Sequence, residues 1–136
     1  MVKRRSRKLV NRQKYYDYNI VAQQFYEAAE VAKDFKYWNA AGVLIVHAAI
    51  AYTDAISIKI SWQKSSSENH EDAIALVDSL VANGDEKKKA MNQLRKIIAE
   101  KTMVSYAGDL YDEKDVENMW KWLQRFRKWA VGIVDR

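Results

Sequence analysis

The sequence predicts an all-α protein, an antiparallel up-and-down bundle of four to five helices. Three observations predict it. Proline is absent and glycine occurs only at Gly42, Gly84, Gly108 and Gly132 among 136 residues, so little interrupts a long helix. Apolar residues recur at three- and four-residue spacing through several long segments. The breaks between those segments are short, and short connections make successive helices antiparallel neighbours.

The first helix is expected from about Tyr15 to Lys36, with Tyr18, Val21, Phe25, Ala28, Ala32 and Phe35 on its inward face. Glu27, Glu30, Lys33 and Asp34 take much of the other face. The second is expected from about Tyr37 to Gln63. Its Val43, Ile45, Val46, Ile50, Ile56, Ile58 and Ile60 suit a strand, but its length and six alanines between Ala40 and Ala55 favour a helix. A helix apolar nearly all round belongs at the centre, and Gly42 with the alanines lets neighbouring helices approach closely. A loop follows from about Lys64 to Asn69. Asn69 is a candidate N-cap for a third helix from about His70 to Ala82, with Glu71 and Asp72 at the positive end of its dipole. Ile74, Val77, Leu80 and Val81 are its inward residues, and Asn83-Gly84-Asp85 stops it. A fourth helix covers about Glu86 to Lys101, with Met91, Leu94, Ile97 and Ile98 inward. Residues 102–112 are a loop or the frayed end of that helix. Asp112 then caps a fifth helix running to about Val134, with Asp115 at its third position. Val116, Met119, Trp120, Leu123, Phe126, Ala130 and Ile133 form its inward stripe, and Trp122, Arg125 and Trp129 lie beside it.

The length suits one domain over residues 15–136, preceded by a flexible basic tail over residues 1–14. With no cysteine, the chain has no disulfide, no thiolate nucleophile and no cysteine-based zinc site, which suits a reducing, cytoplasmic setting. Two histidines and acidic groups such as Asp109, Asp112, Glu113 and Asp115 lack metal-ligand spacing, so neither a metal nor another cofactor is expected. No apolar run approaches the ~20 residues needed to span a bilayer, and no membrane partner is expected.

The net charge of +5 is unevenly placed. Lys3, Arg4, Arg5, Arg7, Lys8, Arg12 and Lys14 give residues 1–14 a charge of +7 with no acid, leaving the rest at −2. Arg4, Arg5, Arg7, Lys8 and Arg12 are therefore candidate nucleic-acid contacts, since cations that neutralise phosphates release counterions. Tyr15, Tyr16 and Tyr18 follow closely and could stack on bases or open the core of helix one. A solvated tail is the plainer reading. A second basic group, Lys121, Arg125, Arg127, Lys128 and Arg136, closes the chain.

Three stretches carry a family resemblance over roughly residues 18–131. They are Trp38-Asn39-Ala40-Ala41 through Val46-His47-Ala48-Ala49-Ile50-Ala51-Tyr52-Thr53-Asp54-Ala55, then Asn69-His70-Glu71-Asp72-Ala73, then Leu94-Arg95-Lys96-Ile97-Ile98-Ala99-Glu100 running on to Tyr106. Together they resemble the HEPN superfamily, the higher eukaryote and prokaryote nucleotide-binding domains. The resemblance implies a helical bundle that pairs as a homodimer, binds RNA, a nucleotide or a partner protein, and serves toxin–antitoxin or defence systems. Ribonuclease members carry an Arg, a polar residue, three more residues and a His. The matching frame here is Lys101-Thr102-Met103-Val104-Ser105-Tyr106, with a tyrosine where the histidine would stand. A tyrosine of ordinary pKa near ~10 is a poor general base at neutral pH.

The resemblance therefore implies a binding module without nuclease activity, with Lys101 and Tyr106 as ligand-binding candidates. A divergent, metal-independent ribonuclease using Lys101 and Tyr106 with His70 or His47 is the alternative; a pure protein-interaction module is another. His47 and Asp54 share a face of helix two and either line a cleft or are simply satisfied by hydrogen bonds, as buried polar groups are. His70 is either a ligand contact or an exposed first-turn residue. Trp122, Arg125 and Trp129 belong to residue types enriched at interfaces and are the candidate pairing surface, unless the core consumes them.

Overall fold

The computed structural model describes residues 7–66, 70–107 and 110–136, and for residues 101–107 the backbone alone. In chain order the elements are β1 (Arg7–Leu9), α1 (Lys14–Asp34), α2 (Trp38–Ser61), β2 (Gln63–Ser65), α3 (His70–Leu80), α4 (Asp85–Ala107) and α5 (Glu113–Val134). The all-α bundle is as expected. Among the described residues the one departure in class is a small antiparallel ribbon in which Arg7 faces Ser65, Lys8 faces Lys64 and Leu9 faces Gln63. Three-residue strands carry no readable periodicity, and the sequence gives a tail on one side and a loop on the other.

α2 is the central helix. It packs against α1, α3, α4 and α5, and Ile45, Tyr52, Ala55, Ile56 and Ile58 are fully buried. Contrary to the sequence reading, Trp38–Ser61 is long and apolar enough to cross a membrane, yet 78% of its apolar window is buried within the bundle. Its hydropathy is that of a core helix.

The inward face of α1 is only partly the expected one: Ala32 is buried and Tyr18 and Phe25 pack half-buried against the core, but Ala28, Val21 and Phe35 are exposed. Ala22 and Ala29 are buried with Ala32, whereas Val21 is 42% and Phe35 66% exposed. The reason lies in α2, which offers Ala41, Ala48, Ala49 and Ala55. Small residues facing small residues bring the two backbones together, and the larger side chains are displaced to the edges of the contact. The α1–α2 corner is a Schellman motif: Tyr37 N–H donates to Ala32 C=O at 2.9 Å and Lys36 N–H to Lys33 C=O at 3.0 Å. Lys36 occupies the left-handed position at φ 63°.

α4 does not end near Lys101. It continues to Ala107, so most of the uncertain 102–112 segment is helical. Its Met91, Leu94, Ile97 and Ile98 are buried as expected. The Asp112 cap is also as expected: Asp115 N–H donates to Asp112 Oδ1 at 2.8 Å and Asp112 N–H to Asp115 Oδ2 at 3.0 Å. The inward stripe of α5 is buried throughout. Lys59 closes the far end of α5, donating from Nζ to the carbonyls of Ile133, Val134 and Arg136 at 2.6–2.8 Å. Those are the orphan acceptors a helix C-terminus leaves open.

Candidate ligand groove between α4 and α5

α4 and α5 are joined by a short connection and run antiparallel. Residues late in α4 therefore meet residues early in α5. Lys96 Nζ lies 5.7 Å above the Trp122 ring. Nearer the other end, Lys89, Ala90 and Gln93 of α4 with Arg125, Lys128 and Trp129 of α5 line an open groove of 220 Å³, and Glu86 closes it. The stations repeat: Lys96 opposes Trp122, and Lys89 shares the groove wall with Trp129, seven residues further along each helix. Two helical turns separate them by ~10.5 Å.

The aromatic walls are fixed. Trp122 and Trp129 are half-buried and packed against the core, with Trp129 tilted on Phe126 at 6.0 Å between ring centroids. Lys89, Lys96, Arg125 and Lys128 are exposed, and so their charges project to solvent. Glu86 is the one carboxylate in the lining. It sits 3.9 Å from Lys89 with both side chains largely exposed, a weak pair. On the groove wall Gln93 Oε1 is buried and has no hydrogen-bond partner among the described residues. An orphaned acceptor of this kind is costly unless something supplies a donor. The groove itself offers one aromatic platform, Trp129, and three cations, Lys89, Arg125 and Lys128, and Lys96 over Trp122 adds a second cation–aromatic station two turns away on the same helix pair.

Of the residues singled out by sequence, Arg125 and Trp129 line this groove, and Trp122 lies on the same side of α5 under Lys96. The structure does not bring His47 and Asp54 together. His47 is exposed and tilted against Phe25 at 5.5 Å, whereas Asp54 is only 8% exposed and faces the basic ribbon. Burial pushes the Asp54 carboxyl up to about 6, with Lys64 and Lys8 opposing that rise. His70 opens α3 and is half-buried. Lys101 and Tyr106 both lie within α4, but their side chains fall outside the described residues, as do Arg4, Arg5 and the Asn69 cap. Arg7 and Lys8 lie in β1. Arg12 follows it and donates from Nε to Lys59 C=O at 3.0 Å. Among the described residues no group of three His, Asp or Glu side chains is arranged to hold a metal ion.

Sequence reasoning missed the α4 half of the groove, namely Lys89, Gln93 and Lys96. The signal was present as a seven-residue spacing of lysines equal to that of the two tryptophans. It also missed a polar network across the α1–α5 seam. Arg127 stacks over Tyr26 at 4.5 Å and donates to Tyr52 Oη at 2.9 Å and Gln23 Oε1 at 2.7 Å, while Tyr52 donates to Gln23 Oε1 at 2.9 Å. This network ties α1, α2 and α5 and consumes its own donors. No family model matches the chain, and no curated protein or solved structure matches it.

Proposed function

We propose that the protein is a HEPN-like, homodimeric binding module of the cytoplasm that holds single-stranded RNA in the α4–α5 groove and does not cut it. The observation that carries the reading is Lys96 over the Trp122 ring and, two turns away on the same pair of helices, a groove lined by Lys89, Arg125, Lys128 and Trp129. Single-stranded nucleic acid is held by cations that follow the backbone and by aromatic rings on which bases stack. Two stations ~10.5 Å apart suit non-adjacent bases of one strand better than one mononucleotide. The non-catalytic part of the reading rests on Tyr106, which stands where the resembled ribonucleases carry histidine. A role in toxin–antitoxin or defence systems is what the resemblance implies.

Charge argues against the groove as the pairing surface between two copies. A twofold interface sets a patch against itself, so Lys89, Arg125 and Lys128 would face their own copies across it. A polyanion neutralises them.

The test is a fluorescence titration with a single-stranded RNA oligonucleotide. Binding with tryptophan quenching, weakened at least tenfold by Arg125→Glu and by Trp129→Ala, is the expected result. Undiminished binding by both variants would overturn the groove. Cleavage of the RNA, lost on Lys101→Ala, would overturn the non-catalytic reading.

A further inference from the structure

We propose that the rim formed by residues 7–12 and 59–65, at the end of the bundle that carries the β-ribbon, docks on an anionic lipid surface. The two segments run side by side: Leu9 pairs with Gln63, Val10 N–H donates to Trp62 C=O at 2.8 Å, and Arg12 Nε donates to Lys59 C=O. This double-stranded rim carries three exposed apolar side chains. Leu9 is 81% exposed, Trp62 56% and Ile60 41%. Around them Arg7, Lys8, Arg12 and Lys14 are all exposed.

The acids nearby are largely spoken for. Asp17 pairs with Lys14 at 3.4 Å, Asp54 is buried beneath Lys8 and Lys64, and Asp135 lies near Lys59. The rim thus faces outward as apolar side chains ringed by cations.

Trp62 strengthens the inference. It ends α2 at φ 60°, a left-handed conformation that is costly for a bulky side chain and free for glycine. More than half of its surface remains in water, so packing does not account for an aromatic residue held there. Tryptophan is enriched where a bilayer meets water, and exposed aliphatic residues gain by entering the acyl boundary. Basic residues beside them are drawn to anionic headgroups.

The apolar side chains decide between two polyanions. RNA satisfies the arginines and lysines, but its backbone gives Leu9 and Ile60 nothing to enter. A lipid surface satisfies both sets. The contact is peripheral and needs no spanning helix. The inference uses a surface separate from the α4–α5 groove and does not rest on the RNA reading.

The experiment is co-sedimentation of the full chain with vesicles of phosphatidylcholine alone and of phosphatidylcholine mixed with phosphatidylglycerol. The expected result is binding to the mixed vesicles and little to the neutral ones. Leu9→Ser and Trp62→Gly each lower it about tenfold, and Arg7→Glu lowers it at least fivefold. Trp62→Gly relieves the left-handed strain, and an undiminished melting temperature separates its loss of binding from a loss of fold. Arg125→Glu leaves vesicle binding intact. Absence of binding to the mixed vesicles overturns the proposal. So does binding that Leu9→Ser and Trp62→Gly leave unchanged, which marks attraction of charge alone. If Arg7→Glu weakens RNA binding while no vesicles bind, the rim is a nucleic-acid surface instead.

Discussion

The ring of Tyr111 lies against the α-carbon of Gly42. A methyl group built on Gly42 would fall 2.2 Å from Tyr111 Cδ2 and 2.5 Å from Cε2. Tyr111 is 6% exposed, donates from its hydroxyl to Glu100 C=O at 3.2 Å, and has its pKa pushed up to about 12 by burial and by the nearby Glu100. The contact pins the α4–α5 connection to the central helix. Gly42→Ala is therefore expected to destabilise by about 1–3 kcal/mol from overpacking, less about 1 kcal/mol regained from helix propensity. Urea unfolding measures it. In a Tyr111→Ala background the same substitution should cost nothing, and an equal cost in both backgrounds would break the proposed coupling.

Gly42 also shows what the sequence could and could not convey. Its place in an alanine-rich helix pointed to close approach, but toward a neighbouring helix, and the partner is a connection residue. The stripes of α4 and α5 and the Asp112 cap were legible because each depends on local spacing and local hydrogen bonds. The inward face of α1 was legible only in part: Tyr18, Phe25 and Ala32 face the core as expected, but the alanines of α2 bring Ala22 and Ala29 in and leave Val21 and Phe35 out. The β-ribbon was not legible, because three-residue pairing between segments over fifty residues apart leaves no local trace. For the groove, the Trp122–Arg125–Trp129 half was visible on one helix. The lysines opposite acquire meaning only when α4 and α5 lie side by side.

Asp54 gives a pH prediction whose sign is opposite to that of a salt-bridged carboxylate. Its folded pKa of about 6 lies above the ordinary 3.8 because burial penalises the charged form. Between those values the folded protein holds the proton more tightly than the unfolded chain. Stability falls as pH rises from about 4 to about 6 and is level above that. A shift of about two units corresponds to roughly 3 kcal/mol. Asp54→Asn should remove this fall, making the variant the more stable protein at pH 8 and nearly equal to the parent below pH 4. Denaturant midpoints across that range test it. A less stable variant at pH 8 would mean that Lys8 and Lys64 outweigh the cost of burial.

The groove makes a quantitative prediction about salt. For single strands the logarithm of the binding constant falls with that of salt concentration by about 0.7 per phosphate neutralised. The three groove cations together with Lys96, partly offset by Glu86, should give a slope of roughly −2 to −3. Lys96→Ala should flatten it by about 0.7. Trp129→Ala should weaken binding by about 1–3 kcal/mol, the worth of one stacked base, and leave the slope unchanged. Should the tryptophan variant alter the slope and the lysine variant not, the assignment of stacking and charge to these residues would be wrong.

Lys36 occupies the left-handed position of the α1–α2 corner at φ 63°, where a residue with a Cβ is strained by about 1–2 kcal/mol. Glycine there removes the strain but loses more conformational freedom on folding, about 0.5–1 kcal/mol. Lys36→Gly should therefore stabilise the protein by somewhat under 1 kcal/mol, a rise of about 2–4 °C in melting temperature. Lys36→Ala provides the control, because it deletes the charge and keeps the Cβ, and it should give no such gain. If alanine stabilises as much as glycine, the benefit comes from removing a cation rather than from the backbone. If glycine destabilises, then the Tyr37 and Lys36 hydrogen bonds to Ala32 and Lys33 depend on a stiffness that only a side chain at this corner supplies.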